Sequence, residues 1–330
     1  MTDPDPNRNG RRFLAPIVDG FIRPPTHVEL IVSDHCNIAC RQCNHLSPLM
    51  PKWNVRPDEA GRDLTRLAAV MKTNELRLIG GEPVLHPDLP AVIEAARKSG
   101  LSPFTKLVTN GTVLDRMANA AWDLLDCVEV SRYPGTGVDD ALLERARERG
   151  DRHGTRVIEA RYAEFRDTFF SRRNDDDSLV EQIFEACKIA NLWACLAVYE
   201  GRVYRCPQSI YARSIAGRHF EDGFGIDVQP DFQERLRNFI EGSVPLESCR
   251  YCVGTNGRKQ PHSLLPRKTW RTDLDRGVDD VLDRELLAAS LVNNSPVDDC
   301  RVEHEAMAID RHSFGEIWRS VLARLRHWGR

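Results

Sequence analysis

Three cysteines, Cys36, Cys40 and Cys43, follow one short apolar stretch and constrain the chain more than any other feature. The stretch at 28–32 reads as a strand, which places the cysteines in the loop at its carboxyl end. In barrel-like α/β folds, catalytic and binding residues lie in such loops. Three thiolates can ligate three irons of a four-iron cluster and leave the fourth iron open. The alternatives are three structural cysteines or a zinc knuckle, which would need a fourth local ligand.

Strand and helix patterns alternate along the first half of the chain. Apolar residues recur at helical spacing within four segments, and short β-rich runs separate them. The predicted helices cover 57–72, 89–99, 114–125 and 138–149, and the predicted strands cover 28–32, 75–79, 105–111, 127–131 and 156–162. This alternation predicts an α/β fold, a partial TIM-like barrel of about five to six parallel strands.

A turn formed by Gly80, Gly81, Glu82 and Pro83 ends the second predicted strand. Paired glycines let a backbone approach its neighbour closely. The cysteine spacing and this turn together resemble the radical S-adenosylmethionine (SAM) superfamily. The resemblance implies that the open iron chelates SAM, that the reduced [4Fe-4S] cluster cleaves it to a 5′-deoxyadenosyl radical, and that the turn binds the methionyl ammonium. One position departs from the pattern, because Gln42 stands where relatives often carry an aromatic residue near the adenine.

Further SAM contacts are expected at the ends of the third and fourth strands. The resemblance implies that Thr109 and Asn110 contact the ribose and carboxylate of SAM, although Asn110-Gly111 is also a common turn sequence. Ser131 leaves the fourth strand at the same edge and is a further candidate for binding the cosubstrate.

Candidates for the substrate side lie on the fourth and fifth strands. Arg132 follows Ser131 at the catalytic edge. Glu159 and Arg161 share one face of the fifth strand, so they contact substrate if that face lines the barrel and form an exposed pair if it does not. The basic stretches at 257–262 and 266–271 could bind an anionic substrate, but we expect a solvated loop.

A second set of cysteines follows an acidic break at 174–178 and flanks a hairpin predicted over 193–207. This set resembles the auxiliary-cluster domain called SPASM and, because further cysteines do not follow closely after residue 252, its shortened form, Twitch. The resemblance implies one auxiliary [4Fe-4S] cluster. Its implied ligands are Cys187, Cys206, Cys249 and Cys252. Four thiolates could also hold a zinc ion.

Three cysteines remain outside these two sets. Cys195 competes with Cys187 as a ligand and otherwise reads as a core residue. Cys127 opens a strand and reads as a small buried residue. An epimerase would need a hydrogen-atom donor, and Cys195 or Cys127 could supply it. Cys300 is expected to have no role.

Composition limits the class of protein. The 46 basic and 49 acidic side chains nearly balance, so no nucleic-acid partner is expected. No apolar run approaches the ~18 residues of a membrane span. Ten cysteines without a secretory signal favour metal ligation in a reducing cytoplasm. The predicted organisation is a flexible arm (1–25), a radical SAM barrel (26–173), a Twitch-like domain (174–257) and a basic loop with a helical extension (258–330, with helices over 281–291 and 314–328).

The predicted activity follows from the resemblance. A fully ligated auxiliary cluster cannot chelate substrate, so it is expected to accept or pass electrons, which favours net oxidation. The cysteine spacing is similar to that of 2-deoxy-scyllo-inosamine dehydrogenase and related antibiotic-biosynthesis enzymes. We therefore expect oxidation, epimerisation, deoxygenation or decarboxylation of a sugar, aminocyclitol or nucleoside, with a flavodoxin or ferredoxin-type reductant. The alternatives are a peptide-modifying enzyme that forms thioether or carbon–carbon links, and a binding protein with degenerate iron sites.

Overall fold

The structure is a computed structural model that describes residues 15–24, 26–227 and 229–292. The helix predicted over 314–328 and Cys300 lie outside these residues. The strands are β1 Ile17–Val18, β2 Phe21–Ile22, β3 Val28–Ser33, β4 Leu76–Gly80, β5 Thr105–Thr109, β6 Cys127–Arg132, β7 Arg156–Arg161, β8 Glu164–Arg166, β9 Leu196–Tyr199, β10 Arg202–Tyr204, β11 Gly223–Gly225 and β12 Lys259–Pro261. The helices are α1 Pro57–Ala68, α2 Leu89–Lys98, α3 Asn119–Leu124, α4 Asp140–His153, α5 Asp177–Ala186, α6 Pro207–Tyr211, α7 Arg213–Ala216, α8 Phe232–Ile240, α9 Trp270–Leu274, α10 Val278–Val281 and α11 Arg284–Val292.

An eight-stranded sheet in the order β11-β10-β9-β3-β4-β5-β6-β7 forms the centre of the molecule. Strands β3 to β7 are parallel to one another, β9 adds to them in parallel, and β10 and β11 continue in antiparallel pairing. The predicted α/β fold with a parallel sheet is therefore confirmed. The sheet is open, with β7 and β11 at its edges.

The two faces of the parallel strands differ in chemistry. Leu30, Leu78, Leu107 and Val128 alternate onto the face that packs against α1 to α4, and all four are buried. Burying side chains of this size contributes roughly 1.5–3 kcal/mol each. The matching alternation onto the opposite face brings charged residues into register across the strands. This packing fixes which strand residues can reach the interior.

The interior face carries a buried network of charges. Glu29 pairs in register with Arg77, and Arg77 with Lys106. The Lys106 ammonium lies 2.9 Å from a carboxylate oxygen of Glu129 and 3.0 Å from one of Glu75. Buried charges of this kind need such partners, because each has lost its hydration. The charges alternate along the strands as solvent-facing residues do, yet Glu29, Lys106 and Glu129 are buried.

The described residues just before β3 pack against the rest of the protein. In the segment 15–24, β1 and β2 form a hairpin. The amide of Ile22 donates to the carbonyl of Val70 at 2.9 Å, and the Ile22 carbonyl accepts from Lys72 at 3.0 Å. Ile22 is fully buried. This part of the predicted flexible arm is therefore a docked hairpin.

The predicted hairpin around Glu200 and Gly201 is present as β9 and β10, with both turn residues at positive φ. It extends the central sheet, because β9 pairs with β3. The short strand β8 lies before the predicted boundary at 173, yet it pairs with β12 from the C-terminal part. The two predicted domains are thus joined by strand pairing. Over the described residues, no helix has the length and apolar character needed to cross a membrane.

Candidate active site

The first cysteine set occupies the loop directly after β3. The loop is held by tight turns, in which the amide of Cys43 donates to the carbonyl of Cys40 at 3.3 Å and Gln42 adopts φ 57°. Burial raises the pKa of the Cys36 thiol to about 12, and the neighbouring Cys43 raises it too. Burial likewise raises the pKa of Cys40, with added effects of Cys43 and Cys36. The three thiols are close enough to influence one another, and a bound cluster would have to displace their protons.

The two glycines of the Gly-Gly-Glu-Pro turn allow the end of β4 to lie against this loop. A Cβ atom on Gly80 would fall 2.1 Å from the carbonyl oxygen of Ser33, and one on Gly81 would fall 2.2 Å from that of His35. The Gly81 amide donates to Ser33 at 2.7 Å, and the Glu82 amide donates to His35 at 3.0 Å. The glycines therefore set the backbone approach on which the cysteine loop rests.

Glu82 is fully buried and hydrogen-bonds to the chain at the ends of two strands. Its carboxylate accepts hydrogen bonds from the Val84 amide at 3.0 Å, the Thr109 hydroxyl at 2.7 Å and the Asn110 amide at 2.8 Å. Burial raises the pKa of this carboxyl, while the three donors lower it. The geometry gives Glu82 a positioning role between β4 and β5. Its contact with the ammonium of SAM, like that of Gly80, Gly81 and Pro83, stays a prediction.

Asn110 connects the end of β5 to the cysteine loop. Its Nδ2 lies 3.4 Å from Cys36 Sγ and donates to Asn37 at 3.0 Å. Its Oδ1 accepts from the amide of Thr112 at 2.9 Å. The Thr109 hydroxyl instead points back to Glu82, so Asn110 is the predicted cosubstrate residue of β5 that reaches the loop. An amide donor near the sulfur of Cys36 favours its thiolate form.

Ser131 is buried at the end of β6, where its hydroxyl contacts the side chain of Tyr133. Tyr133 stacks on the imidazole of His262, with ring centroids 5.1 Å apart, and Phe165 meets His262 edge-on at 5.0 Å. Ser131 therefore supports an aromatic group beside the cysteine loop, and its direct contact with SAM stays a prediction.

His262 is a site residue that the sequence did not identify. Its Nε2 lies 3.2 Å from Cys40 Sγ and its Nδ1 lies 3.1 Å from the carbonyl oxygen of Pro134. Burial lowers the pKa of His262. In the neutral ring, Nδ1 donates to Pro134, so Nε2 accepts the thiol proton of Cys40. A lone histidine in a basic stretch gives no sequence signal for this contact across 222 residues.

The basic stretch after β12 is a strap over the cysteine loop, where a solvated loop was expected. The amide of Arg41 donates to the carbonyl of Ser263 at 2.9 Å, and the amide of Leu265 donates to Ala39 at 2.8 Å. The guanidinium of Arg267 donates to the carbonyl of Cys36. We define residues 262–273 as the strap. It ends at Asp273, whose carboxylate lies 2.9 Å from the Arg41 guanidinium.

The three predicted substrate residues lie on the other side of the sheet. Glu159 is in register with Val130, whose side chain packs against the helices. Arg132 lies 3.1 Å from the Glu159 carboxylate, and Arg161 lies 2.7 Å from it. Burial raises the pKa of Glu159, but hydrogen bonds from both arginines lower it overall. Arg132, Glu159 and Arg161 form an ion-pair group on the helix-facing side, and their contact with substrate stays a prediction.

The second cysteine set lines one cavity, together with residues such as Phe184, Arg205 and Ser209. The cysteines that line it are Cys187, Cys206, Cys249 and Cys252. Cys195 does not line it. In the described part of the chain, no three His, Cys, Asp or Glu side chains form a group that could hold a metal ion.

The walls of this cavity fit a cluster held by thiolates. Gly254 has φ +57°, and a Cβ there would fall 2.6 Å from Cys187 Sγ. The Gly254 amide also lies 3.2 Å from Cys252 Sγ. Burial raises the pKa of the Cys206 thiol to about 11, nearby Cys187 raises it as well, and hydrogen bonds from Ser209 lower it. Donors aimed at sulfur are the groups that tune iron–sulfur sites.

Burial also explains the remaining described cysteines. Cys127 is buried at the start of β6, and burial raises the pKa of its thiol to about 12. Cys195 precedes β9, and burial raises its pKa well above the ordinary value, with Glu29 adding to the effect. Both thiols lie in other parts of the chain than the loop that holds the first cysteine set. Their proposed use as hydrogen-atom donors stays a prediction.

Residues 30–158 match the family model described as "Radical SAM superfamily". This segment contains the cysteine loop, the Gly-Gly-Glu-Pro turn and strands β4 to β6. Residues 30–158, less than half of the chain, are therefore similar to a radical SAM domain.

Curated relatives match a little more than a third of the chain. The GTP 3′,8-cyclase of Aeromonas hydrophila is 31% identical over 120 residues, which is 34% of this chain and 35% of the relative. That of Chlorobaculum tepidum is 32% identical over 127 residues, or 38% of each chain. The chain thus spans little more than a third of these relatives' length.

Two solved structures are also similar. BtrN in complex with AdoMet and 2-DOIA has a TM-score of 0.40 and 15% identity, over 70% of this chain and 94% of that one. Native anSMEcpe with bound AdoMet and Kp18Cys peptide has a TM-score of 0.40 and 14% identity, over 82% of this chain and 100% of that one.

Proposed function

We propose that this protein is a radical SAM enzyme with two [4Fe-4S] clusters, which oxidises a sugar, aminocyclitol or nucleoside. The first cluster would be held by Cys36, Cys40 and Cys43, with its fourth iron open to SAM. The second would be fully ligated in the cavity of Cys187, Cys206, Cys249 and Cys252. When bound, the first cluster supplies the electron that cleaves SAM to a 5′-deoxyadenosyl radical.

One observation carries the proposal: the four cysteines of the second set line a single cavity, apart from the cysteine loop after β3. Gly254 makes room for Cys187 there, and amide and hydroxyl donors face the sulfurs. A site with four protein thiolates has no iron left for substrate, so it serves electron transfer. Oxidation of the substrate radical is the step that needs such an acceptor.

The proposed reaction balances without a further oxidant. SAM and a secondary alcohol give methionine, 5′-deoxyadenosine, a ketone and a proton. The S–C5′ bond of SAM accepts one electron and breaks. The deoxyadenosyl radical then removes the carbon-bound hydrogen, and the resulting substrate radical releases a proton and one electron. The electron that entered at SAM cleavage is thereby recovered.

The cluster content tests the proposal. Iron, acid-labile sulfide and electron paramagnetic resonance (EPR) signals are measured on anaerobically reconstituted protein, on a Cys36, Cys40, Cys43→Ala variant and on a Cys206, Cys249→Ala variant. About eight irons are expected in the parent and about four in each variant. SAM cleavage is expected to survive only in the second variant. A parent with about four irons, all lost with the first cysteine set, would overturn the two-cluster proposal.

The substrate class needs a separate assay. Candidate sugars, aminocyclitols and nucleosides carrying deuterium on carbon are incubated with the reduced protein and SAM. Deuterium in 5′-deoxyadenosine identifies the substrate. A purine nucleotide is a second candidate, favoured by the relatives named GTP 3′,8-cyclase, and it is tested with deuterated GTP in parallel.

A further inference from the structure

The segment that follows β8 lies between the two cysteine sets. On one side, the Thr168 amide donates to Gln42 Oε1 at 3.3 Å, and the Thr168 hydroxyl donates to Asn44 at 2.7 Å. Gln42 and Asn44 flank Cys43 in the chain. On the other side, the Thr168 carbonyl accepts from the amide of Val253 at 2.9 Å. Val253 directly follows Cys252.

The hydrogen bond from the Thr168 amide to Gln42 and the one from Val253 to the Thr168 carbonyl form one continuous link between the sites. It runs from Cys43 through Gln42 and the peptide groups of Thr168 to Val253 and Cys252. A bridge between Phe169 and Cys252 reinforces the second half. Gln42, Thr168 and Val253 are 1%, 2% and 0% exposed, so water does not compete for these hydrogen bonds.

The link also explains why residue 42 is a glutamine. The side chain needs an acceptor for the Thr168 amide and a donor for Asp273, which its Nε2 contacts at 3.3 Å. A phenylalanine at residue 42 would offer neither group. Leaving this buried amide of Thr168 without a partner would destabilise the packing here. The departure at this position is therefore part of the packing between the two cysteine sets.

We infer that Gln42 and the backbone of Thr168 form the path by which an electron passes from the auxiliary site to the SAM-cleaving site. The inference rests on the proposed function. Electrons cross covalent and hydrogen-bonded links more readily than gaps between unbonded atoms, and this link has two hydrogen bonds. In the proposed oxidation it would return the electron released by the substrate radical, ready for the next SAM. The Gln42 side chain and the Thr168 backbone are positioning groups, because they act through Cys43 and Cys252, and the Thr168 side chain has no part in the path.

The test counts SAM cleavage in protein without substrate. The protein is reduced with dithionite, freed of excess reductant and mixed with SAM and a thiol that donates hydrogen to the deoxyadenosyl radical. Each electron breaks one S–C bond and yields one methionine. With one electron stored per cluster, about two methionines per protein are expected. EPR follows the auxiliary signal, which is assigned in the Cys36, Cys40, Cys43→Ala variant.

Two variants distinguish the hydrogen bonds of the path from neighbouring contacts. Gln42→Met removes the acceptor but keeps the length of the side chain. In this variant the first methionine is expected at the rate of the parent, while the second methionine and the loss of the auxiliary signal are slowed together. Thr168→Val keeps both peptide groups and removes only the hydroxyl, so both methionines are expected at the rate of the parent.

The outcomes distinguish the inference from the proposed function. Unchanged release of the second methionine in Gln42→Met protein with about eight irons overturns the electron path alone. Loss of iron in Gln42→Met overturns it as well, because Gln42 would then only hold a cluster in place. A parent protein with about four irons overturns the proposed function first. Slowing in Thr168→Val equal to that in Gln42→Met also contradicts the path, because the hydroxyl is not part of it.

Discussion

Replacing Asp34 with asparagine should stabilise the protein without clusters at neutral pH. Asp34 is fully buried just before the cysteine loop, where its Oδ2 accepts from the Tyr199 hydroxyl at 2.7 Å and its Oδ1 has no partner. Burial raises the pKa of Asp34 from 3.8 to about 6, although the hydrogen bond from Tyr199 lowers it. The shift of about two units corresponds to about 3 kcal/mol of differential free energy.

The sign follows from the direction of the shift. Because the pKa is higher in the folded state, the contribution of Asp34 to stability is fully present below pH 3.8 and is lost as the pH rises through about 6. At pH 7 the ionised carboxylate therefore costs the folded state about 3 kcal/mol. Asparagine cannot ionise and can still accept from Tyr199. The advantage of Asp34→Asn should grow by this amount between pH 4 and pH 7.

Urea unfolding of the apoprotein, followed by tryptophan fluorescence at several pH values, measures this difference directly. Tyr199→Phe provides the control. It removes a donor that lowers the pKa of Asp34. In the Tyr199→Phe background, the advantage of Asp34→Asn should therefore appear at a higher pH. An Asp34→Asn effect that is constant between pH 4 and pH 7, or that grows toward acid, would refute the reasoning.

Three further substitutions test the site. Gly254→Ala should lower the iron content by about half, because a left-handed residue costs about 1–2 kcal/mol and its Cβ would meet Cys187; full iron content would contradict this. Glu82→Gln should lower the free energy of unfolding by about 1–3 kcal/mol and weaken SAM binding, because its amide faces the Asn110 or Val84 amide; calorimetry that shows neither effect would contradict the bracing role. Arg132→Ala should leave formation of 5′-deoxyadenosine unchanged and cost no more than about 1 kcal/mol of stability; a large loss of SAM cleavage would return this residue to the site.

Local patterns in the sequence predicted the scaffold and the first cysteine set well. The strand before Cys36 and the glycine turn after β4 are short-range features, so periodicity and residue type were sufficient. The orientation of the strand faces was harder to predict. The β7 sequence, Arg-Val-Ile-Glu-Ala-Arg, offers no clear contrast between its faces, so the shared face of Glu159 and Arg161 was predictable but its orientation was not.

Contacts between distant segments could not be read from the sequence. His262 reaches Cys40, and Thr168 reaches Gln42, only because the fold brings β8, β12 and the cysteine loop together. The burial of Glu82 was also hidden, because a carboxylate beside two glycines suggests an exposed ligand. Three hydrogen-bond donors supplied by β5 and the following turn make that burial possible.

Because of its contacts with the strap, the cysteine loop reaches its final structure late in folding. A ribosome releases the matched segment 30–158 long before it has made β9, the neighbour of β3, or the strap residues that pair with Ala39 and Arg41. Closing such distant contacts is slow, because the intervening chain must first lose its entropy. The cysteine loop can therefore complete its contacts only after residue 273 has emerged. A fragment that ends at 158 would present three cysteines without β9 and the strap.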